Sequence, residues 1–127
     1  MKTTIKTDKA PAAIGPYNQA VEVNGMIFTA GQIPLNPATG ELVDTSFGDR
    51  VHQVMKNLSG ILEAAGSDFT KVVKATIFVT DLGQFAELNA IYAEYFPEEI
   101  APARSTVQVA ALPLGTDVEI EMIAYKD

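Results

Sequence analysis

The chain reads as an α+β protein in which two helices cover one face of a mixed β-sheet, and three features of the sequence predict it. Two strand-like runs, Val21–Val23 and Met26–Thr29, are separated by Asn24-Gly25, a pair that accepts the left-handed backbone of a two-residue hairpin turn. Between Phe47 and Ala65 the apolar residues Phe47, Val51, Val54, Met55, Leu58, Ile61, Leu62 and Ala65 recur at helical spacing, a stripe wide enough to cover a sheet. Beyond it, β-branched runs and a second amphipathic segment alternate with short connections. No change of composition marks a boundary, so residues 1–127 are expected to form a single domain.

Taken in order, Ala10 to Tyr17 contains two prolines and a glycine, which forbid regular helix and predict a defined loop ending on an aromatic ring. The hairpin follows. Ala30-Gly31-Gln32-Ile33-Pro34 reads as a strand leaving the sheet, and Asn36-Pro37 and Thr39-Gly40 as turn chemistry. Ser46, with Asp49 three residues on, resembles a helix-capping pair, and Gly66 stands where a left-handed C-terminal cap belongs. Val72 to Thr80 is long and β-branched enough for a central strand. Asp81 is expected to cap a second helix running through Phe96, with Phe85, Leu88, Tyr92, Tyr95 and Phe96 on one side and Pro97 as its stop. Ser105–Val109 and Val118–Tyr125 close the chain as two further strands.

Composition narrows the possible chemistry. The chain has 127 residues, 47% of them hydrophobic, a formal charge of -7 and a pI near 4.6. Such a surface repels phosphate backbones and anionic membranes, and no basic stripe offsets it, so neither nucleic acid nor membrane is an expected partner. The lack of cysteine and the single histidine leave no thiolate chemistry and no multi-histidine metal site. The N-terminal residues lack an apolar signal core, and a cytoplasmic protein is expected.

Arg104 is the only charged residue in the fifteen positions from Ile100 to Leu114, set among small and apolar neighbours. A guanidinium in such a stretch reads as a receptor for carboxylate or phosphate. An internal ion pair with Glu119 or Glu121 is the competing reading. In the run Val118-Glu119-Ile120-Glu121-Met122-Ile123 alternate residues face opposite ways, so Val118, Ile120 and Met122 can meet the helices while Glu119, Glu121 and Ile123 lie on the other face. The two carboxylates then share a side with Cα atoms roughly 6.5 to 7 Å apart, which fits acid/base work and equally a solvent-facing strand. An uncovered face of this kind predicts association with further copies of the chain. Gly31 offers a backbone N–H with no side chain in the way, suited to an anionic ligand, although a simple bend would also call for glycine. Asn89 interrupts an apolar neighbourhood and is a candidate to point its amide at a pocket, or else to meet solvent. His52 reads as a helix-edge residue, not a general base.

The segments Ala10-Pro11-Ala12-Ala13-Ile14-Gly15-Pro16-Tyr17, Gly31-Gln32-Ile33-Pro34, Ile77-Phe78-Val79-Thr80-Asp81-Leu82, Pro102-Ala103-Arg104-Ser105 and Val118-Glu119-Ile120-Glu121 closely resemble the reactive-intermediate deaminase family, in its RidA subfamily. The resemblance covers essentially the whole chain, in order. It implies a chorismate-mutase-like fold assembled as a barrel-like homotrimer with ligand clefts between subunits. It further implies cofactor-free hydrolysis of 2-enamino and 2-imino acids, such as 2-aminoacrylate, 2-iminopropanoate and 2-iminobutanoate, to 2-oxo acids and ammonia, the substrates being released by pyridoxal-phosphate-dependent dehydratases. By similarity Arg104 grips the substrate carboxylate and Glu119 positions the attacking water, while Tyr17, Gly31, Asn89 and the backbone of Thr106 complete the cleft. A regulator that binds 2-oxo acids or amino acids in the same cleft without turnover is the alternative. Two positions depart from the pattern: Ala30 stands where many relatives carry Ser, and Thr106 where many carry Cys. Altered substrate preference is the expected consequence. An Ala30→Ser variant should therefore change the ratio of kcat/KM between two imino acids of different side-chain size, and an unchanged ratio would refute this.

Overall fold

The structure, a computed structural model, describes residues 1–127. Its six strands are β1 (Thr3–Ile5), β2 (Ala20–Val23), β3 (Met26–Thr29), β4 (Val72–Val79), β5 (Ala103–Gln108) and β6 (Val118–Tyr125), and its helices are α1 (Phe47–Ala64) and α2 (Phe85–Tyr95). The strands form one sheet in the order β1-β2-β3-β6-β4-β5. All neighbours run antiparallel except β4 and β5, which are parallel, so the sheet is mixed as expected. The β2–β3 turn has Asn24 at φ 52° and Gly25 at φ 77°, the pair of left-handed residues that matches the twist of a tight hairpin.

Helix α1 starts where Ser46 Oγ accepts the Asp49 N–H at 3.0 Å. The reciprocal half of the capping pair is not made, because the Asp49 carboxylate takes the Thr45 hydroxyl at 2.6 Å instead. At its other end Gly66, at φ 82°, donates to Glu63 O at 3.0 Å, and Ser67 N–H reaches Leu62 O at 2.8 Å, the paired bonds of a Schellman cap. All eight residues of the predicted stripe are buried. They pack on the β4 and β6 residues that point the same way, Ala75, Ile77, Val79, Val118, Ile120, Met122 and Ala124, within one core of 24 buried residues.

The second helix differs from expectation at its start. Asp81 accepts the Gly83 N–H at 2.8 Å and caps a 3₁₀ turn over Leu82–Gln84, and α2 begins only at Phe85. Gly83, a poor helix former, sits where the first turn of a longer helix would have been. Leu88, Ile91, Tyr92 and Phe96 are buried, but Phe85 is 40% exposed and does not join the core. On the sheet face without helices, Glu119, Glu121 and Ile123 project as the alternation predicts, beside Phe28, Phe78 and Val107. Phe28 and Val107 are each about 40% exposed, so apolar side chains stand open on this face beside Glu119, Glu121 and Lys74, whose ammonium donates to Ser105 Oγ at 2.9 Å. No helix is long and apolar enough to cross a membrane.

One fully buried polar residue ties the helix layer to the segment leaving β3. Asn57 Nδ2 donates to Leu35 O at 2.9 Å and to Ile33 O at 3.4 Å, while its Oδ1 accepts from Gln53 Nε2 at 2.9 Å. Asn57→Asp is isosteric but faces two carbonyl oxygens with a third acceptor, leaving Leu35 O without a donor and Ile33 O with only the Leu35 N–H at 2.7 Å. It should destabilise the fold by about 3 kcal/mol at neutral pH. Burial would raise the new carboxyl's pKa, so the folded state favours the protonated form and part of the loss should be recovered on acidification. Thermal denaturation at two pH values checks the sign.

Candidate active site

The site begins with an irregularity between β3 and β6. Phe28 pairs with Ile123, yet the next bridge joins Gln32 to Ile120 through bonds of 2.8 and 3.1 Å, so three residues, Thr29, Ala30 and Gly31, span the gap that Glu121 and Met122 span on the other strand. This is a β-bulge. On its outer edge the chain stays attached to β2 through the Ala30 N–H, which donates to Gln19 O at 2.8 Å. Gly31 N–H has no partner within the chain.

Glu119 lies across that bulge. A Cβ at position 31 would overlap the Glu119 carboxylate and stand 2.9 Å from its Cδ and 3.1 Å from its Cγ, so any side chain here would push the Glu119 carboxylate out of its present place. Together Tyr17, Gly31, Gln32, Ile33, Leu114 and Glu119 line much of a cavity of about 420 Å³. Burial, and secondarily the like charge of Glu121, raise the Glu119 pKa above the ordinary carboxylate value. A carboxyl of this kind, next to an unpaired backbone N–H, can accept, hold and release a proton near a bound polar group.

Arg104 is elsewhere. It pairs with Ala75, which in turn pairs with the buried Met122, and this row faces the helices; Glu119 belongs to the row Val107–Phe78–Glu119 on the open face. The ion pair between Arg104 and Glu119 or Glu121 is therefore not formed, and the two residues do not share one end of the sheet. The chain's ion pairs are Lys9–Glu63, Arg50–Asp117, Lys71–Asp127 and Lys126–Glu22. Arg104 has none. Its Cζ lies 4.9 Å from the centre of the Tyr92 ring and 5.5 Å from that of Phe85, held by aromatic faces with its donor edge uncommitted to any internal acid.

Around it stand groups with unused hydrogen-bonding capacity. Thr106, next but one along β5 and on the same row as Ile77, has a buried hydroxyl with no partner, and so does Tyr92. Burial pushes the Tyr92 phenol up to about 12, with Arg104 acting in the opposite direction, so it stays protonated. Asn89, half-buried and one helical turn before Tyr92, makes no side-chain hydrogen bond within the chain. His52 belongs to neither group; its Nδ1 is 2.6 Å from the Tyr95 hydroxyl, at the contact between α1 and α2. Sequence reasoning placed Tyr92 and Phe85 only on a helix face and missed that they cradle Arg104, since nothing local in either segment reports a contact across α2 and β5. No group of three or more His, Cys, Asp or Glu side chains is arranged to hold a metal ion.

The structure thus brings together Tyr17, Gly31 and Glu119 on one side of the sheet, and Asn89, Arg104 and Thr106 on the other. A family model described as Endoribonuclease L-PSP matches residues 7–126. The chain belongs to this family. It is 49% identical over 126 residues to the mouse protein named 2-iminobutanoate/2-iminopropanoate deaminase, covering 99% of this chain and 93% of that one. It is 51% identical over 123 residues to the Arabidopsis thaliana protein named Reactive Intermediate Deaminase A, chloroplastic, covering 97% of this chain and 65% of that longer protein. Among solved structures, E. coli TdcF with bound serine superimposes with a TM-score of 0.92 at 42% identity, covering 98% of this chain and 99% of that one. Family membership thus agrees with the resemblance seen in the sequence motifs.

The raised pKa of Glu119 fixes the sign of a stability effect. Because folding raises it, the folded state prefers the protonated carboxyl. The stability linked to that proton is complete below the ordinary carboxylate pKa and is lost as pH rises from there. Glu119→Gln cannot suffer that loss, so its Tm should exceed that of wild type at about pH 7 and the difference should vanish towards about pH 4. Calorimetry at both pH values measures it, and a variant less stable at neutral pH would refute the assignment.

Proposed function

We propose that this protein hydrolyses 2-imino and 2-enamino acids to 2-oxo acids and ammonia, in clefts formed between copies of the chain. The observation that carries this reading is the placement of Arg104 and Glu119 on opposite faces of one sheet, each with unused capacity and neither serving the other. A cleft containing both requires the Arg104 side of one subunit to meet the Glu119 side of another. The open face, on which Phe28, Phe78, Val107 and Ile123 stand among polar neighbours, supplies surface for such association, and a homotrimer places three equivalent clefts around it.

In that cleft the Arg104 guanidinium takes the substrate carboxylate in a two-bond fork, stiffened by the Tyr92 and Phe85 rings. The planar 2-imino acid is then fixed with its C=N carbon towards the neighbouring subunit's Glu119. A water held by that carboxylate adds to the carbon and gives up one proton to Glu119. That proton is passed to the nitrogen, giving a carbinolamine; Glu119 then carries the proton of its new hydroxyl to the nitrogen as well, the C–N bond breaks, and ammonia leaves as the carbonyl forms. An enamine enters by first taking a proton at its terminal carbon, which converts it to the imine. The unpaired Gly31 N–H can bond polar atoms that gain charge along the way, Tyr17 bounds the cleft, and Asn89 and Thr106 lie beside the arginine.

The names of the mouse and Arabidopsis relatives support the deaminase reading. The family's ribonuclease label is not carried over, because a chain with a formal charge of -7 is poorly suited to a polyanion. The regulator alternative rests on the Arg104 group alone, which can hold a carboxylate without any proton transfer.

Co-expression separates these readings. Imino acid is generated by an amino acid oxidase and trapped with semicarbazide, and its hydrolysis is followed with wild type, Arg104→Ala, Glu119→Gln and a mixture of the two variants. Each variant alone should be inactive, while on random assembly about three quarters of trimers contain both variants, each of these has one intact cleft of three, and about a quarter of wild-type activity should return. No restoration would sink the intersubunit site, and an inactive wild type that still binds 2-oxo acid would establish the regulator.

A further inference from the structure

We propose that Thr29 is a positioning residue for Glu119, its side-chain hydroxyl closing the bulge that sets Gly31 beneath the carboxylate. The inference deepens the hydrolytic reading above and rests on it for its kinetic consequence.

The argument starts from the register. Up to Phe28–Ile123 the β3 and β6 residues pair one to one, and from Gln32–Ile120 the pairing resumes one residue out of step. Something must satisfy the β6 backbone across the interruption, because a buried N–H without a partner is costly. Thr29 does this: its Oγ1 accepts the Met122 N–H at 3.0 Å, where a main-chain carbonyl would have stood in a regular ladder. Met122 is buried, its residue only 1% exposed, so water is no ready substitute for that bond.

The bond has geometric consequences. With Met122 N–H held by a side chain, the main chain of Ala30 and Gly31 is free to arch away from β6, while Ala30 N–H keeps it fastened to Gln19 O at 2.8 Å. The arch places Gly31 under the Glu119 side chain, whose Cδ and Cγ lie within 2.9 and 3.1 Å of where a Cβ would be. It also leaves the Gly31 N–H unpaired at the cavity wall. Both features of the Glu119 side of the cleft depend on the bulge, and the bulge is fastened by one hydroxyl. Valine has the shape of threonine but no acceptor, so in its place Met122 N–H would pull the bulge towards a main-chain carbonyl and carry Gly31 with it. Serine keeps the acceptor.

The test uses wild-type protein, Thr29→Val, Thr29→Ser and Glu119→Gln. Amide NMR reads the geometry without any turnover. The Met122 amide should be protected from exchange in wild type and Thr29→Ser and unprotected in Thr29→Val. The Gly31 amide shift should follow the titration of Glu119 in wild type and Thr29→Ser but not in Thr29→Val, with Glu119→Gln separating this response from those of Glu121 on the same face and Tyr17 at the cavity wall. In kinetics, Thr29→Val should lower kcat about tenfold with little change in KM, since Arg104 is untouched. Thr29→Ser should behave as wild type.

A folded Thr29→Val whose Gly31 amide still follows Glu119 overturns the proposal, as does a tenfold loss of kcat in Thr29→Ser. Should Thr29→Val fail to fold, Thr29→Ser still decides, because loss of the Gly31 response there would show that the hydroxyl is not what places it. An absence of hydrolysis in wild type would count against the deaminase reading alone, and the amide measurements would still settle Thr29.

Discussion

The alternation of side chains along a β-strand is the constraint on which the rest of this molecule depends. It turns Ala75, Ile77, Val79, Val118, Ile120 and Met122 towards the helices and so builds the core. The same alternation sends Arg104 with the helix-facing set and Glu119 with the opposite one. A one-residue slip of β6 would turn Glu119 and Glu121 towards the helices and bury charge in the core, and a slip of β5 would carry Arg104 to the open face. Register therefore fixes at once the stability of the domain and the separation of Arg104 from Glu119 within one chain.

Each half of the site is prepared in a different way. Arg104 is set by packing: two aromatic rings from α2 lie close to its guanidinium and no acid comes near enough to pair with it. That keeps a strongly charged donor available for an external carboxylate at no cost of breaking an internal ion pair. Glu119 is set by backbone geometry, where an extra residue in β3 brings a glycine under its carboxylate and partial burial raises its proton affinity. A guanidinium receptor and an acid able to exchange a proton are the complementary parts that the proposed hydrolysis of an imino acid calls for.

The helix layer reaches the site by indirect routes. Asn57 holds the carbonyls of Ile33 and Leu35 and thereby one wall of the cavity. Arg50 grips Asp117 through bonds of 2.8 and 2.7 Å just before β6, which bears Glu119 two residues on. Both are polar residues of α1 whose partners lie far away in the chain, so the helix that covers the sheet also fixes the ends of the segments forming the cleft.

The sequence by itself determined the layers, because its signals are local. Asn24-Gly25 forces a tight turn, the stripe from Phe47 to Ala65 has a helical period, Gly66 ends that helix, and Val118–Tyr125 alternates without interruption; each of these reads the same in isolation and in the fold. The candidate residues Arg104, Glu119, Tyr17, Gly31, Asn89 and Thr106 were also legible, from unusual surroundings or from motif. Their grouping was not. Whether Arg104 meets Glu119 depends on the rows they occupy across three paired strands, and whether Tyr92 serves the core or the arginine depends on how α2 crosses β5. The bulge at Thr29–Gly31 is likewise visible only where two strands, joined there by a bond between residues 93 positions apart, fall out of step, a relation between distant backbones that no single segment encodes.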